Sequence, residues 1–544
     1  MTDTLIYANG RILADGKAEA ASHLVVADGK IAHIGDAASA AALAPGAPTI
    51  DLSGDVVVPG LIDAHSHLVM MGENLAKVQL RQVTSPQQLR ESLLAARAKN
   101  PQAERLLGAG WLNAAVGSGR PTAAMLDEII ADIPVYLDAN DLHSVWVNTA
   151  ALREMGITAQ SPDPLGGRIV RDEQTGEATG LLEETAAQQY VWGTLERLTS
   201  DEQRDAYLRT AIETYLAHGV TGAIDMALGE AELASMRRVM SGYRIPPFRI
   251  AAHWLVHREA RDELNLAQVE RAVALAQEQH EPWLKVVGIK IIADGVIDGC
   301  TAAMCEPFAD GTQAEPIWDV AALTPVVTAA DAAGLQIAIH AIGDRASDIA
   351  LDALQAAFEI NSSLPRRHRL EHLEVVSPRN IQRLAELKLV ASVQPVHADP
   401  AIQAHWRENL GDERVERGYP WREIRDAGVS MALGTDAPTA PYEPWDNLYV
   451  ATTRRSALDP ELPANVEELK LELSEALASF SAGAAYSCRW EDEVGTLAVG
   501  MAADFSVIDI DPYQARNREL LSVRTRMTVV AGEVVFTKES SKIS

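Results

Sequence analysis

The central part of the chain alternates short apolar runs with longer segments whose apolar residues recur at helical spacing. Short runs of this kind predict buried strands, and the segments between them, such as 349–358 with its apolar stripe, predict helices. Proline directly after a capping residue predicts helix starts at Thr324-Pro325 and Ser377-Pro378. The predicted strands lie in eight runs: 56–62, 219–225, 248–254, 286–292, 335–340, 369–372, 390–394 and 429–436.

Strands that alternate with helices are typical of a parallel α/β fold, and eight such units favour a closed (β/α)8 TIM barrel over an open sheet. We assign residues 57–69 and 216–488 to this barrel. About 155 residues separate the first two strands, far more than one crossover needs. Residues 70–215 are therefore predicted to form an inserted α+β subdomain that lies over the barrel mouth.

Both ends of the chain have a different pattern, in which short apolar or alternating runs are separated by turn dipeptides. Asn9-Gly10 and Asp28-Gly29 are examples near the start, and comparable runs recur between residues 495 and 536. Such spacing predicts short antiparallel strands joined by tight turns. We expect residues 1–56 and 489–544 to form one composite β-sandwich.

Composition narrows the class of protein and its partners. The 544 residues are 47% hydrophobic and 23% charged, as in a globular protein. A formal net charge of −29 opposes binding to nucleic acid or to an anionic membrane, and leaves a small-molecule substrate as the expected partner. The three cysteines show no disulfide or metal-knuckle spacing, and no leader or membrane-spanning run is recognised, so we expect a cytoplasmic protein.

Two histidines at the end of the first predicted strand give the first indication of chemistry. Side chains at i and i+2 of a strand point the same way, so His65 and His67 converge on one small volume. Neutral imidazole is a ligand for Zn²⁺ and similar ions. The pair alone leaves open a strand end with two surface histidines.

The ends of other predicted strands also carry residues that could bind a metal. In a barrel, the carboxyl ends of all strands meet at one face, and active sites lie there. Any one of these residues alone would more often be structural, but their joint placement predicts a metal site. The candidate ligands are His65, His67, Lys290, His340, His372 and Asp436.

These residues and their contexts resemble the amidohydrolase superfamily, and its amidohydrolase-3 branch in particular, which includes N-substituted formamide deformylases. The resemblance covers about residues 1 to 538, including the insertion. It rests on the His65-x-His67 pair and on four further segments: 289–295 (IKIIADG), 338–345 (AIHAIGDR), 368–372 (HRLEH) and 434–438 (GTDAP).

The resemblance implies a divalent metal centre, with zinc as the expected metal and one or two ions per chain. His65, His67 and Asp436 would hold the more buried ion, His340 and His372 the more exposed one, and Lys290 would bridge them as a carbamate. With an unmodified Lys290, a single-metal site is the alternative. The implied reaction is hydrolysis of a non-peptide carbon–nitrogen bond in an amide or formamide, in which water activated by metal attacks and Asp436 acts as general base and acid.

Substrate contacts are predicted for His143, His397 and Trp111, with a structural role as the alternative for each. A cyclic amidase, a heterocycle deaminase or a lactonase would use the same metal core, and a non-catalytic scaffold is a further alternative. We leave a homo-oligomer open, since nothing in the sequence indicates an interface.

Overall fold

The computed structural model describes residues 4–14, 21–117, 120–139, 144–164, 167–278, 283–361, 364–403 and 405–538. Its chain divides into two compact units, one formed by Met1–His67 with Ile212–Ser544 and the other by Leu68–Ala211. The first unit contains an eight-stranded parallel sheet in which each strand pairs with the next one along the chain. The predicted (β/α)8 barrel is therefore confirmed.

The barrel strands follow the predicted runs closely, because each run is short, apolar and bounded by turn residues. Adjacent strands are in parallel register, for example Lys290 opposite Ala338 and Glu371 opposite Ser392. Their carboxyl ends therefore meet at one face. In order, the strands are Leu61–Ser66, Val220–Leu228, Arg249–Leu255, Leu284–Ile292, Gln336–Ala341, Arg369–His372, Val390–Val393 and Ser430–Leu433.

Hydrogen bonds connect the eighth barrel strand to the first. The amide of Asp436 donates to the carbonyl of His65 at 2.7 Å. The buried carboxylate of Asp63 accepts from the amide of Thr435 at 2.9 Å, from its hydroxyl at 2.6 Å and from the Tyr215 hydroxyl at 2.7 Å. These bonds fix the two strand ends that carry His65 and Asp436 relative to each other.

The helices of this unit lie between the strands and in the loops that follow them. Ser377 caps its helix as predicted, since its hydroxyl accepts from the amide of Asn380. The helices are Ala37–Leu43, Glu230–Ser241, Asp262–Gln277, Val320–Ala332, Asp344–Ile360, Pro378–Glu386, Pro395–Ala398, Trp406–Leu410, Asp412–Val415, Trp421–Asp426, Pro444–Thr453, Glu467–Leu469, Leu473–Ser479, Ala482–Ser487 and Asn517–Ser522.

Two local predictions are wrong. The helix expected to begin at Thr324-Pro325 begins five residues earlier, because Asp319 caps it by accepting from the amide of Ala322, and Pro325 lies inside the helix. The apolar run 56–62 is two strands, Val56–Pro59 and Leu61–Ser66, and only the second belongs to the barrel.

Strands from both ends of the chain form two small sheets in the first unit. A four-stranded sheet contains Lys30–Gly35, His23–Ala27, Thr4–Ala8 and Thr49–Asp51 in that order. A five-stranded sheet contains Arg11–Ile12, Val56–Pro59, Phe505–Ile508, Thr525–Val530 and Glu533–Thr537. A shared apolar core joins them, with Tyr7 edge-on to Phe505 at 4.9 Å between ring centroids.

The second unit, Leu68–Ala211, has its own six-stranded sheet and its own apolar cores. Its place over the barrel mouth stays a prediction. The strands are, in sheet order, Gly167–Arg171, Ala178–Glu184, Ser144–Val147, Val135–Ala139, Leu106–Trp111 and Val78–Gln79. The helices are Leu68–Ala76, Pro86–Lys99, Asn113–Val116, Ala123–Asp127, Thr149–Glu154, Ala187–Trp192, Gly193–Leu198 and Asp201–Ala217, the last of which ends in the first unit.

Every helix in the described ranges is too short or too polar to cross a lipid bilayer.

Candidate metal centre

Three of the predicted ligands lie together at the carboxyl end of the barrel. Nε2 of His67 lies 3.0 Å from Oδ1 of Asp436, and Nε2 of His65 lies 3.5 Å from the same oxygen. Each of the three offers one ligand atom within 4.8 Å of the other two. Asp436 has a left-handed backbone with φ of 59°, a strained conformation for a non-glycine residue. The surrounding structure thus holds its carboxylate against the two imidazoles.

The far side of the His65 ring is held by a buried carboxylate that the sequence analysis missed. Nδ1 of His65 donates to Oε2 of Glu371 at 2.7 Å. Arg369 forks onto the same carboxylate at 2.5 and 3.0 Å, and neither side chain is exposed. Although burial alone would raise it, Arg369 and His65 hold the pKa of Glu371 well below its usual value. Glu371 is therefore an anion that fixes the proton of His65 on Nδ1 and leaves Nε2 free to bind.

His67 and His340 are oriented by backbone carbonyls instead. Nδ1 of His67 donates to the carbonyl of Met226 at 2.5 Å, so Nε2 faces Asp436. Nε2 of His340 donates to the carbonyl of Gly295 at 3.1 Å, so Nδ1 is its free nitrogen. Metal-binding histidines in proteins are commonly oriented in this way, by a carbonyl or carboxylate on the second ring nitrogen.

His372 brings a further imidazole into the cluster. Its ring centroid lies 4.8 Å from that of His65 and 4.4 Å from that of His340. Its Nδ1 is buried, lies 4.0 Å from Oδ2 of Asp436 and has no hydrogen-bond partner among the described residues. A buried ring nitrogen without a partner costs free energy, and a bound cation would remove that cost.

Lys290 is buried beside His65, with 3.5 Å between Nζ and Nε2. Among the described residues, no carboxylate oxygen lies within 4.0 Å of this amine. Burial, only partly offset by Glu371 and Asp436, lowers the pKa of Lys290 to about 8. The structure therefore favours a neutral amine at this position more than at an exposed lysine.

Burial also opposes protonation of the imidazoles. Desolvation and the neighbouring Lys290 lower the pKa of His65 to about 4 and that of His340 to about 3. Desolvation opposes protonation of His67 too, but the hydrogen bond to Asp436 raises its pKa above the usual value. Histidines that converge on one carboxylate are a donor set that divalent zinc takes in proteins, and a bound cation would displace the proton of His67, so these residues fit the metal that the sequence predicts.

His397 and Trp111, both predicted to contact substrate, have different surroundings. Nε2 of His397 lies 3.6 Å from Oδ2 of Asp436, so His397 belongs to the cluster. Trp111 is buried in a core of the second unit, where its indole donates to the carbonyl of Leu137 and its ring packs edge-on to Trp146. His143 lies outside the described residues. Substrate contact by these three residues stays a prediction.

The arrangement matches a known family. Residues 48–536 match the model of the amidohydrolase family. The chain belongs to that family. It is therefore a metal-dependent hydrolase of the amidohydrolase type, as the buried histidine and aspartate cluster also indicates.

Individual amidohydrolases resemble the chain over nearly its whole length. The putative amidohydrolase YtcJ of Bacillus subtilis is 30% identical over 91% of this chain and 91% of its own. The N-substituted formamide deformylase of Arthrobacter pascens is 27% identical over 99% of this chain and 98% of its own. An uncharacterized metal-dependent hydrolase from Pyrococcus furiosus has a crystal structure with a TM-score of 0.76 and 27% identity, covering 94% of this chain and 100% of that one.

Proposed function

We propose that this amidohydrolase cleaves a non-peptide carbon–nitrogen bond, in a linear amide or formamide, with Asp436 as general base and acid. The observation that carries the proposal is the buried Asp436 carboxylate, 3.0 Å from His67 and 3.5 Å from His65 at the carboxyl end of the barrel. The similarity to an N-substituted formamide deformylase over nearly the whole chain supports this bond class.

His65, His67 and Asp436 are proposed to hold the more buried ion, with zinc as the expected metal. His340 and His372 are proposed for a second ion. A divalent ion at such a site lowers the pKa of bound water from 15.7 to about 7 and polarises a substrate carbonyl. Glu371 and the carbonyl of Met226 accept from Nδ1 of the two histidines, which leaves Nε2 of each as the nitrogen that would bind the ion.

Lys290 is proposed to carry a carbamate. The uncharged amine attacks the carbon of CO₂, a new N–C bond forms while one C–O π bond opens and places its electron pair on oxygen, and the nitrogen loses one proton to solvent. Burial and the lack of a carboxylate within ion-pair distance among the described residues both favour the uncharged amine. The product is an anion beside His65, where it would neutralise part of the positive charge of the metal centre.

Asp436 is proposed to accept a proton from the attacking water and to deliver it to the departing nitrogen. Its carboxylate begins as an anion, because His65 and His67 keep its pKa well below the usual value against the effect of burial. The two hydrogen bonds from the Thr435 segment to Asp63 keep the carboxylate in place during the transfer.

A substrate panel tests this proposal. Zinc-loaded protein would be given an N-substituted formamide, a linear amide, a cyclic amide, a lactone and an exocyclic amine, with formate, free amine and ammonia measured separately. Turnover of the formamide or linear amide that is lost in Asp436→Asn supports the proposal. Turnover confined to the cyclic amide, lactone or exocyclic amine would replace it with one of the other reactions of this metal core.

A further inference from the structure

Two glutamate–histidine pairs lie beside Asp436, one near each of its two carboxylate oxygens. On one side, Glu371 holds Nδ1 of His65 at 2.7 Å, and Nε2 of His65 lies 3.5 Å from Oδ1 of Asp436. On the other side, Glu374 holds Nδ1 of His397 at 3.1 Å, and Nε2 of His397 lies 3.6 Å from Oδ2 of Asp436. In both pairs, Nδ1 contacts the glutamate and Nε2 faces Asp436.

A carboxylate on one nitrogen of a histidine is the usual support of an imidazole whose other nitrogen binds a metal. We propose that His397 is an additional ligand of the second divalent ion, beside His340, His372 and Oδ2 of Asp436, and that Glu374 is its positioning carboxylate. This inference rests on the metal centre of the proposed function. It assigns His397 to the metal in place of the substrate contact that the sequence predicts.

The distances around Oδ2 agree with this assignment. Tetrahedral zinc with ligand bonds of about 2.0–2.1 Å separates neighbouring ligand atoms by about 3.4 Å. Nε2 of His397 lies 3.6 Å from Oδ2, and Nδ1 of His372 lies 4.0 Å from it. The rings of His372 and His397 are nearly parallel, with 7° between their planes and 5.9 Å between centroids. Both nitrogens therefore lie at distances from Oδ2 that are close to the separation of ligands on one ion.

Glu374 and His397 are held by a common neighbour. The amide of Tyr419 donates to the carbonyl of Glu374 at 2.7 Å, and its hydroxyl donates to the carbonyl of His397 at 3.0 Å. The buried Arg454 in turn donates to the carbonyl of Tyr419 at 3.0 Å. The two loops that carry the pair are thus fixed relative to each other, which is how ligands of a preformed metal site are positioned.

Burial argues for a cationic partner on the same side. The Glu374 side chain is 7% exposed, yet its carboxylate has His397 as its ion-pair partner among the described residues, at 3.1 Å. Oδ2 of Asp436 lies on the other side of the imidazole, 3.6 Å from Nε2 of His397. A cation bound among these buried groups would balance part of their negative charge.

Activity cannot distinguish a metal ligand from a substrate contact, because loss of either reduces turnover. Metal content can. We would load wild type, His397→Asn and Glu374→Gln with zinc, dialyse against metal-free buffer and measure zinc per chain by elemental analysis. Binding constants would follow from competition with a chromophoric chelator. Thermal unfolding by circular dichroism would show that each variant is folded.

The expected result is about two zinc ions in wild type and a content that falls toward one in His397→Asn after dialysis, since the second ion loses one of its protein ligands and binds more weakly. In Glu374→Gln, we expect the second ion to bind about 10–100-fold more weakly while the first is unchanged. His405 and Glu408 offer a matched control, because they form an exposed histidine–glutamate pair at 3.5 Å. His405→Asn and Glu408→Gln should keep both ions.

Two zinc ions of unchanged affinity in folded His397→Asn would overturn this inference and leave the proposed function intact. One ion in both wild type and His397→Asn would overturn it as well, since no second ion would then exist. A wild type that binds no zinc would overturn the metal centre and the proposed function with it. If His397→Asn fails to fold, Tyr419→Phe takes its place, and unchanged affinity for the second ion in that variant counts against the inference.

Discussion

Nζ of Lys290 lies 3.5 Å from Nε2 of His65, and both side chains are buried. A protonated lysine so close to a histidine that binds a cation would be repelled by the ion. Conversion of the amine to a carbamate removes this conflict, because the new group is an anion and a metal ligand. The pair is thus compatible with a metal only if Lys290 is uncharged or modified.

We therefore expect Lys290→Ala to lose metal. With bicarbonate supplied during expression, the zinc content should fall from about two ions per chain toward one or none, because the bridging ligand is gone. Lys285→Ala is the matched control, since Lys285 lies on the same strand near the end opposite to Lys290. About one ion in both wild type and Lys290→Ala would show that Lys290 is not a bridge.

Replacing Glu371 should weaken the first ion without removing a ligand. Glu371→Gln keeps the shape of the side chain but takes away the charge that fixes the proton on Nδ1 of His65. We expect zinc affinity at the first site to fall by about 10–100-fold, as for other carboxylates that orient metal-binding histidines. Arg369→Lys should act in the same direction. Affinity equal to that of wild type in Glu371→Gln would mean that the backbone alone orients His65.

Asp436→Asn should abolish proton transfer by this residue while metal binding remains possible. The amide can still lie between His65 and His67, but it cannot accept the proton of the attacking water. We expect turnover of the formamide or amide that wild type cleaves to fall by about 10²–10⁴-fold, the range for loss of a general acid or base. Turnover would be compared at equal zinc occupancy, reached by raising free zinc. An unchanged rate at equal occupancy would assign Asp436 to metal binding alone.

The barrel and the predicted ligands could be read from the sequence because both depend on local patterns. Most of the strands are short apolar runs with polar residues at or just after their ends, and parallel strands bring those ends to one face without further information. His65, His67 and Asp436 converge for that reason. The helix start at Asp319 was missed because the Thr324-Pro325 dipeptide is an equally good local signal, and only tertiary packing decides between them.

The residues behind the ligands were not predicted, although their signals were present. Asp63, Arg369 and Glu371 are charged residues within barrel strands, and all three are buried. A charge at such a position requires a partner, but the partner lies on a distant strand and the sequence does not reveal which one. The role of Glu374 could not be predicted either, because it pairs with His397 across the segments that follow two different strands.

A last prediction concerns stability in acid and lies away from the metal centre. The buried carboxylate of Asp331 accepts from Arg366 at 2.8 and 2.9 Å, from Nε2 of His368 at 2.8 Å and from Asn361 at 3.0 Å. Although desolvation alone would raise it, these bonds bring the pKa of Asp331 below its usual value. His368 keeps its proton on Nε2 for this bond, since its Nδ1 accepts from the amide of Ile337.

Because the pKa of Asp331 is lower in the folded chain than in the unfolded one, its contribution is present above about pH 4 and is lost as the pH falls further. Asp331→Asn should therefore lower the free energy of unfolding by about 2–3 kcal/mol near neutral pH, as expected for hydrogen bonds to a charged group. The difference between wild type and variant should shrink in acid. Urea unfolding at several pH values measures it, with the exposed Asp132→Asn as control. A difference that stays constant down to the most acidic pH would mean that Asp331 stabilises the fold by packing rather than by charge.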